Sequence, residues 1–225
     1  AADLKRGLTF TKISNAITIA VKASGGITDI NSNFKLRLAV EAAKASNMPK
    51  DNIERAIQKA VGKDSGEVEE VLYEGFAPEG VSVIIEAATD NSLRTTSEIK
   101  SIFNKEGGHF GERGSVAYQF EKKGEIVLKK EGKTLDEAFN AAAESGAEDV
   151  IDDANGFVVY VKPSDLARIS GILKEKGFSV TSAGLIRKPL VTMLIDDSQK
   201  KEKVINFLQK LEGLDDVQKA YSNLV

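Results

Sequence analysis

The hydrophobic period of this chain changes once, and that change limits what it can fold into. From Phe10 to Val61 the apolar residues recur at helical spacing only. After Tyr73, β-branched runs alternate with helical stretches. A helical head followed by an α+β body is the architecture such a switch dictates. The 225 residues suffice for two or three small domains with real cores. Cysteine is absent and histidine occurs once, which removes disulfides, thiolate metal sites, a cysteine nucleophile and histidine-pair chemistry. Hydrophobic residues make up 41% and charged residues 29%, so the chain is neither disordered nor collagen-like. No apolar run is long enough for a transmembrane helix, and no secretory signal opens the chain.

In the head, Phe10, Ile13, Ile17, Ala20 and Val21 form one helical stripe, closed by Gly25-Gly26. Asn31-Ser32-Asn33 offers caps for a second helix with Leu36, Ala39, Val40 and Ala43 inward. Pro49 suits the first turn of a third helix, with Ile53, Ile57, Ala60 and Val61 inward and Gly62 after it. Residues 1–63 are expected to be this three-helix bundle. The acidic, Gly- and Ser-containing stretch 64–72 reads as a linker.

In the body, strands are expected at 81–87, 116–120, 126–128, 150–151, 157–161, 178–186, 190–195 and 217–221. Between them lie helices bearing Ile99 and Phe103, the Ala-rich run after the Thr134–Glu137 capping box, the stretch that Ser164 caps, and 201–211. The order is β-α-β, β-α-β-β-α-β, β-α-β. It predicts an α+β multidomain fold: the bundle plus two ferredoxin-like β-α-β-β-α-β domains, 124–187 being inserted between the halves 73–123 and 188–225 of the other.

Charge follows this division. Residues 1–63 carry eleven Lys/Arg and five Asp/Glu, a net +6, which leaves −9 for the rest of a chain whose total is −3. A basic head on an acidic body points to a polyanion held by the head. On the third helix Arg55, Lys59 and Lys63 stand at i, i+4 and i+8, away from the apolar stripe, as a ridge suited to consecutive phosphates. By charge pattern alone a solubilising face is the plainer reading. Lys5, Arg6, Lys12 and Lys50 extend the basic surface, and Arg94 sits early in its helix, where phosphate can bind.

Other motifs point to plainer roles. The loop from Gly107 to Ser115 is neither a Walker loop nor a dinucleotide fingerprint, since it leads into a strand rather than a helix. Its glycines suit a helix stop and tight connection, although Arg113 and His109 within it can reach a backbone phosphate. Asp152-Asp153, Asp196-Asp197 and Asp215-Asp216 fall at expected turns, where Asp is favoured for local hydrogen bonds rather than for acid–base work. Tyr73 to Gly80 suits packing between the head and the body. No catalytic residue, metal or cofactor is expected.

Several strings together resemble one family: Lys5-Arg-Gly-Leu-Thr-Phe-Thr-Lys-Ile13, Asn47-Met-Pro-Lys-Asp-Asn-Ile-Glu-Arg-Ala-Ile57, Tyr73-Glu-Gly-Phe-Ala-Pro-Glu-Gly80, Thr89-Asp-Asn, Arg94-Thr95, Lys105-Glu-Gly-Gly108, Gly114-Ser-Val-Ala-Tyr118 and Ala143-Glu-Ser-Gly-Ala-Glu-Asp149. Over its whole length the chain resembles the YebC/PmpR family, which includes probable bacterial transcriptional regulators and the mitochondrial translational activator of cytochrome oxidase. The resemblance implies a helical head, two α+β domains with one inserted in the other, and a non-enzymatic, nucleic-acid-binding regulator of gene expression. It makes phosphate contact the better reading of the basic ridge. Family members start with further residues, including a Gly-His-Ser-Lys-Trp string and several lysines that suit a basic arm.

The implied partner is DNA in the traditional assignment, or ribosomal RNA on a stalled ribosome in the translational one. No helix-turn-helix with an evident base-reading helix is present, and an acidic body is repelled by an extended duplex; both facts lean towards the ribosome. No membrane or small-molecule partner is implied. The compartment is the bacterial cytoplasm, or an organellar matrix where the start is a transit peptide.

Overall fold

The computed structural model describes residues 2–62 and 68–225; within them, side chains are described from Arg6 onward. The head is three helices, α1 (Ala2–Ala23), α2 (Phe34–Ala45) and α3 (Lys50–Val61). Ile13, Ile17, Leu36, Val40, Ile53 and Ala60 meet in their core. Of the three capping candidates the structure uses Asn33. Its carbonyl accepts the Leu36 amide at 3.1 Å, and its buried amide group donates to the Ala20 and Ile27 carbonyls at 3.0 and 2.9 Å. One side chain thus closes α1 and opens α2. Pro49 stands just before α3, as its N-cap with ψ 142°. Val61 is 49% exposed and Ala56 takes the inner place expected of it, because a 3.6-residue period from Ile53 reaches 56 and 60 and leaves 61 off the face.

The chain divides into two compact units, 1–119 with 189–225, and 120–188. In the first, β1 (Glu69–Phe76) and β2 (Ser82–Thr89) form an antiparallel pair from Glu69 opposite Thr89 to Phe76 opposite Ser82. The two-residue β3 (His109–Phe110) adds beside β1, and β8 (Val217–Ser222) adds beside β2, giving the order β3-β1-β2-β8. Helices α4 (Ser92–Glu106) and α7 (Ser198–Glu212) bring Ile99, Phe103, Val204, Phe207 and Leu211 into its core, with the Phe103 and Phe207 rings edge-on at 4.9 Å. The head docks here: Lys12 donates from α1 to the Glu212 carbonyl at the end of α7, and Asn15 donates to Ala88 at 3.3 Å.

The second unit runs β4 (Phe120–Leu128), α5 (Leu135–Ser145), β5 (Asp149–Asp153), β6 (Gly156–Val161), α6 (Leu166–Glu175), β7 (Val180–Pro189). Its sheet order is β5-β6-β4-β7, the split β-α-β arrangement. The capping box at Thr134 and Glu137 forms in both directions. Gly156 lies so close to the Leu128 carbonyl that a side chain has no room.

The α+β class with a helical N-terminal region and two four-stranded sheets stands as the sequence predicts. Several details differ. Residues 69–72 of the expected linker belong to β1, and 63–67, with Lys63, lie outside the described residues. The outer sheet therefore has two strands before its first helix, not one. Residues 116–119 do not form a strand: Ala117–Gln119 is a 3-10 turn with Tyr118 72% exposed, and β4 runs unbroken through Gly124, so the unit boundary falls at 119/120 rather than 123/124. Residues 190–195 form no ladder strand. They meet the sheet through one parallel bridge, Met193 with Leu224, and alternation without a partner edge makes no ladder. Ser164 lies in a 3-10 turn (Pro163–Asp165), and α6 starts without a side-chain cap.

Candidate nucleic-acid interface

Within the first unit the head and the outer sheet domain enclose a cleft of about 1010 Å³. One wall is α1 and α3, which contribute Ser14, Asn15, Asn52, Arg55 and Lys59. The other is the start of α4 and the turn before β8, which contribute Asp90, Arg94, Glu98, Asp215 and Asp216.

On the α3 wall Arg55 and Lys59 are exposed. The Arg55 guanidinium rests on neutral acceptors of its own helix, the Asn52 side chain at 2.7 Å and the Asp51 carbonyl at 3.3 Å. Among the described residues neither cation has an ion pair. Their charges are held on the cleft wall with most of their donors free for an anion.

Arg94, on the opposite wall, is in the reverse condition. Its guanidinium donates to Asp90 at 2.9 Å and to Asp216 at 2.6 Å. The same Asp216 oxygen accepts the hydroxyls of Thr95 at 2.6 Å and Thr89 at 3.1 Å. Burial alone raises the Asp216 carboxyl, but the bonds from Thr95, Arg94 and Thr89 outweigh it and hold the group below the ordinary carboxylate range. The helix N-terminus is taken as well, since the Arg94 amide donates to the Asn91 side chain at 3.0 Å. Arg94 joins α4 to the entry of β8, its half-exposed guanidinium paired with two carboxylates.

The remaining basic candidates scatter. Lys12 is half-buried in the head–body contact, where burial lowers its amine, partly offset by Glu212 and Asp215. Lys50 pairs with Glu54 at 3.4 Å on the surface, an interaction of little consequence. Arg6 is exposed, with its guanidinium 5.3 Å from the centre of the Phe10 ring. The side chain of Lys5, like all of Lys63, lies outside the described set. Of the eight sequence candidates, the structure brings Arg55 and Lys59 together on one wall, with Arg94 across from them.

The glycine-rich loop has an internal anion. Glu74, on β1 and 2% exposed, accepts the amides of Gly114, Val116 and Ala117 at 2.7, 2.8 and 2.8 Å. Burial raises this carboxyl and the three amides more than reverse the effect, so it stays ionised further into acid than a free glutamate. The amides that a phosphate would seek are occupied by a carboxylate, and they curl 114–119 out of the expected strand. The Asp pairs also have local duties. Asp152 pairs with Lys130 at 2.6 Å, and Asp197 caps α7 through the amides of Gln199 and Lys200. Tyr73 packs within the outer domain rather than between head and body, its ring 6.2 Å from Phe110 and its hydroxyl donating to Ser92. Among the described residues no cluster of His, Asp or Glu is placed to hold a metal, and no helix is long and apolar enough to cross a membrane.

Sequence reasoning missed Glu74 and gave Asp216 only a local turn role, whereas its partners Thr89, Arg94 and Thr95 lie far along the chain. A glutamate inside an otherwise apolar strand stretch, and an aspartate directly before the buried Val217, were the available signals.

Comparison with known proteins agrees with this architecture. The chain superposes on the crystal structure of a conserved hypothetical protein from Aquifex aeolicus with a TM-score of 0.90 and 40% identity, covering 100% of this chain and 92% of that one. A protein from Persephonella marina named a probable transcriptional regulatory protein is 44% identical over 223 residues, 98% of this chain and 88% of that protein. One of the same description from Geobacter sulfurreducens is 44% identical over 224 residues, 99% of this chain and 89% of its own length. Residues 1–63 match the TACO1/YebC protein N-terminal domain and residues 68–224 the TACO1/YebC second and third domain. With both parts matched in order along the chain, this protein belongs to the TACO1/YebC family.

Proposed function

We propose that this protein is a non-enzymatic regulator of gene expression that holds nucleic acid through the phosphate backbone, with Arg55 and Lys59 of α3 as its anchor. The observation that carries this reading is the state of those two cations. Both are exposed, neighbouring on one helix face and in no ion pair among the described residues, while Arg94 across the cleft is paired with two carboxylates. The relatives' names favour a transcriptional regulator and hence DNA. Phosphate contacts of this kind position a strand without reading its sequence.

A second reading, an RNA-binding factor acting in translation at the ribosome, draws on the opposite wall. Asp90, Glu98 and Asp215 stand across the cleft from α3, and their like charge repels a second phosphate backbone. A folded RNA surface can offer one strand to α3 without presenting another to that wall.

The test is binding of labelled duplex DNA and ribosomal RNA fragments to the full chain and to its Arg55→Glu/Lys59→Glu variant. The reading expects nucleic-acid affinity that the double reversal lowers on the order of 100-fold. Affinity unchanged by the reversal would remove α3 from the interface. Preference for DNA over RNA, or the reverse, separates the two versions.

A further inference from the structure

The cleft beside α3 has a shape and charge pattern that select what can lie against the ridge. Its volume, about 1010 Å³, is that of a large small-molecule site (about 300–1,000 Å³ is usual). It has room for a few nucleotides. Its two walls differ in sign. The α3 wall carries Arg55 and Lys59 and the facing wall carries Glu98 and Asp215, all four exposed and in no ion pair among the described residues. Asp90 adds a third carboxylate, shared with Arg94.

A nucleotide strand has the complementary polarity. Its phosphates are anionic, and the edges of cytosine, adenine and guanine carry exocyclic amino groups that donate to carboxylates. Uracil and thymine present carbonyl acceptors where those amino groups stand, and carbonyls gain nothing from a carboxylate. In a duplex each amino group gives one N–H to its complement and shows the other only within a groove, and the second backbone meets the acidic wall. On the head side the neutral polar groups of Ser14, Asn15 and Asn52 stand beside apolar Phe10 and Met48, a mixed lining that suits the sugar and base faces of a nucleotide.

We propose that this cleft is a binding site for unpaired nucleotides, with phosphates on Arg55 and Lys59 and amino-bearing base edges turned to Glu98 and Asp215. This rests on the reading of α3 as a phosphate anchor and adds to it the class of ligand: a single strand, or a looped-out segment, richer in cytosine or adenine than in uracil or thymine. DNA and RNA strands share this chemistry.

The experiment is fluorescence anisotropy with the full chain and labelled hexanucleotides of cytidine, adenosine and uridine, their deoxy counterparts with thymidine for uridine, and a short duplex of mixed sequence. The site predicts cytidine and adenosine strands bound at least fivefold more tightly than uridine or thymidine strands and than the duplex. The variant Glu98→Gln/Asp215→Asn, whose positions are exposed and whose melting temperature should be unchanged, is expected to erase the base preference while uridine binding holds or rises. A gap between ribose and deoxyribose strands of the same base identifies the sugar that the site accepts and supports the proposal either way. A duplex bound as well as a single strand, or a base preference that survives the double neutralisation, would overturn it. If Arg55→Glu/Lys59→Glu still weakens binding in that case, the phosphate anchor stands and only the strand assignment falls. Strand binding indifferent to the α3 reversal overturns both.

Discussion

The two walls of the cleft carry the same kind of residue in opposite conditions. On α3, Arg55 and Lys59 meet neutral acceptors or none; on α4, Arg94 meets two carboxylates within 3 Å. The contrast teaches that a cation's availability is set by what folding brings beside it. Arg94 has Asp216, 122 residues further along the chain, as its strongest partner, and through it the chain ties the start of α4 to the strand that closes the outer sheet. Among the described residues the α3 pair has no carboxylate partner.

Separating these roles is a matter of measuring stability and affinity on the same variants. The largest effect on stability is expected at Asp216→Ala, which removes the acceptor of Thr89, Thr95 and Arg94 together; about 3 kcal/mol is expected from the charge-assisted bonds lost. Urea denaturation measures this, and an unchanged midpoint would mean that the network is ornamental. Next comes Arg55→Glu/Lys59→Glu. The two reversals should reduce nucleic-acid affinity on the order of 100-fold, about 2.7 kcal/mol, while each exposed change costs stability within about 0.5 kcal/mol. Lys162→Glu/Lys174→Glu, on exposed positions of the second unit, is the matched control and should leave affinity within about twofold. Equal losses in both pairs would take the interface away from α3.

Acid should act on the folded-in groups and spare the ridge. The carboxyls of Glu74 and Asp216 lie below their unfolded values, so their contribution to stability is full above those values, around pH 4, and is lost as pH falls through the lower folded values. Denaturation midpoints compared at pH 7 and at about pH 3 should show wild type weakening more than a Glu74→Gln variant, whose side chain does not titrate. Identical pH dependence would contradict the role given to Glu74. The smallest effect belongs to Arg94→Gln. Its guanidinium is half-exposed and acts within the fold, so a modest loss of stability is expected with affinity within about twofold of wild type. A loss of binding comparable to that of the α3 pair would return Arg94 to the interface.

Much of this molecule was legible in its sequence, and the rest fails to show for identifiable reasons. The three head helices, the capping box at Thr134 and the β-α-β-β-α-β order of the second unit follow from local periodicity and caps, which need no knowledge of distant partners. The start of β1 was hidden because Glu69 and Glu70 are exposed at the open end of a strand, where acids cost nothing and imitate a linker. Val116, Tyr118 and Phe120 alternate as a strand should, yet a glutamate some forty residues away claims the amides between them. At the site, the outward face of Arg55 and Lys59 was legible from phase alone. That Arg94 is neutralised was not, because its partner Asp216 looks like an ordinary turn residue until β8 is placed beside β2.

The central claim is that two exposed cations on α3 hold phosphates, and salt dependence tests it most directly. Each phosphate contact steepens the fall of log affinity with log salt by about 0.9 for duplex DNA and about 0.7 for a single strand. Titrating one labelled nucleic acid into wild type and into Arg55→Glu/Lys59→Glu across the range from low to physiological salt should give a wild-type slope steeper than the variant's by about 1.4 for a single strand and about 1.8 for a duplex. Equal slopes for the two proteins would contradict the claim, whatever their affinities.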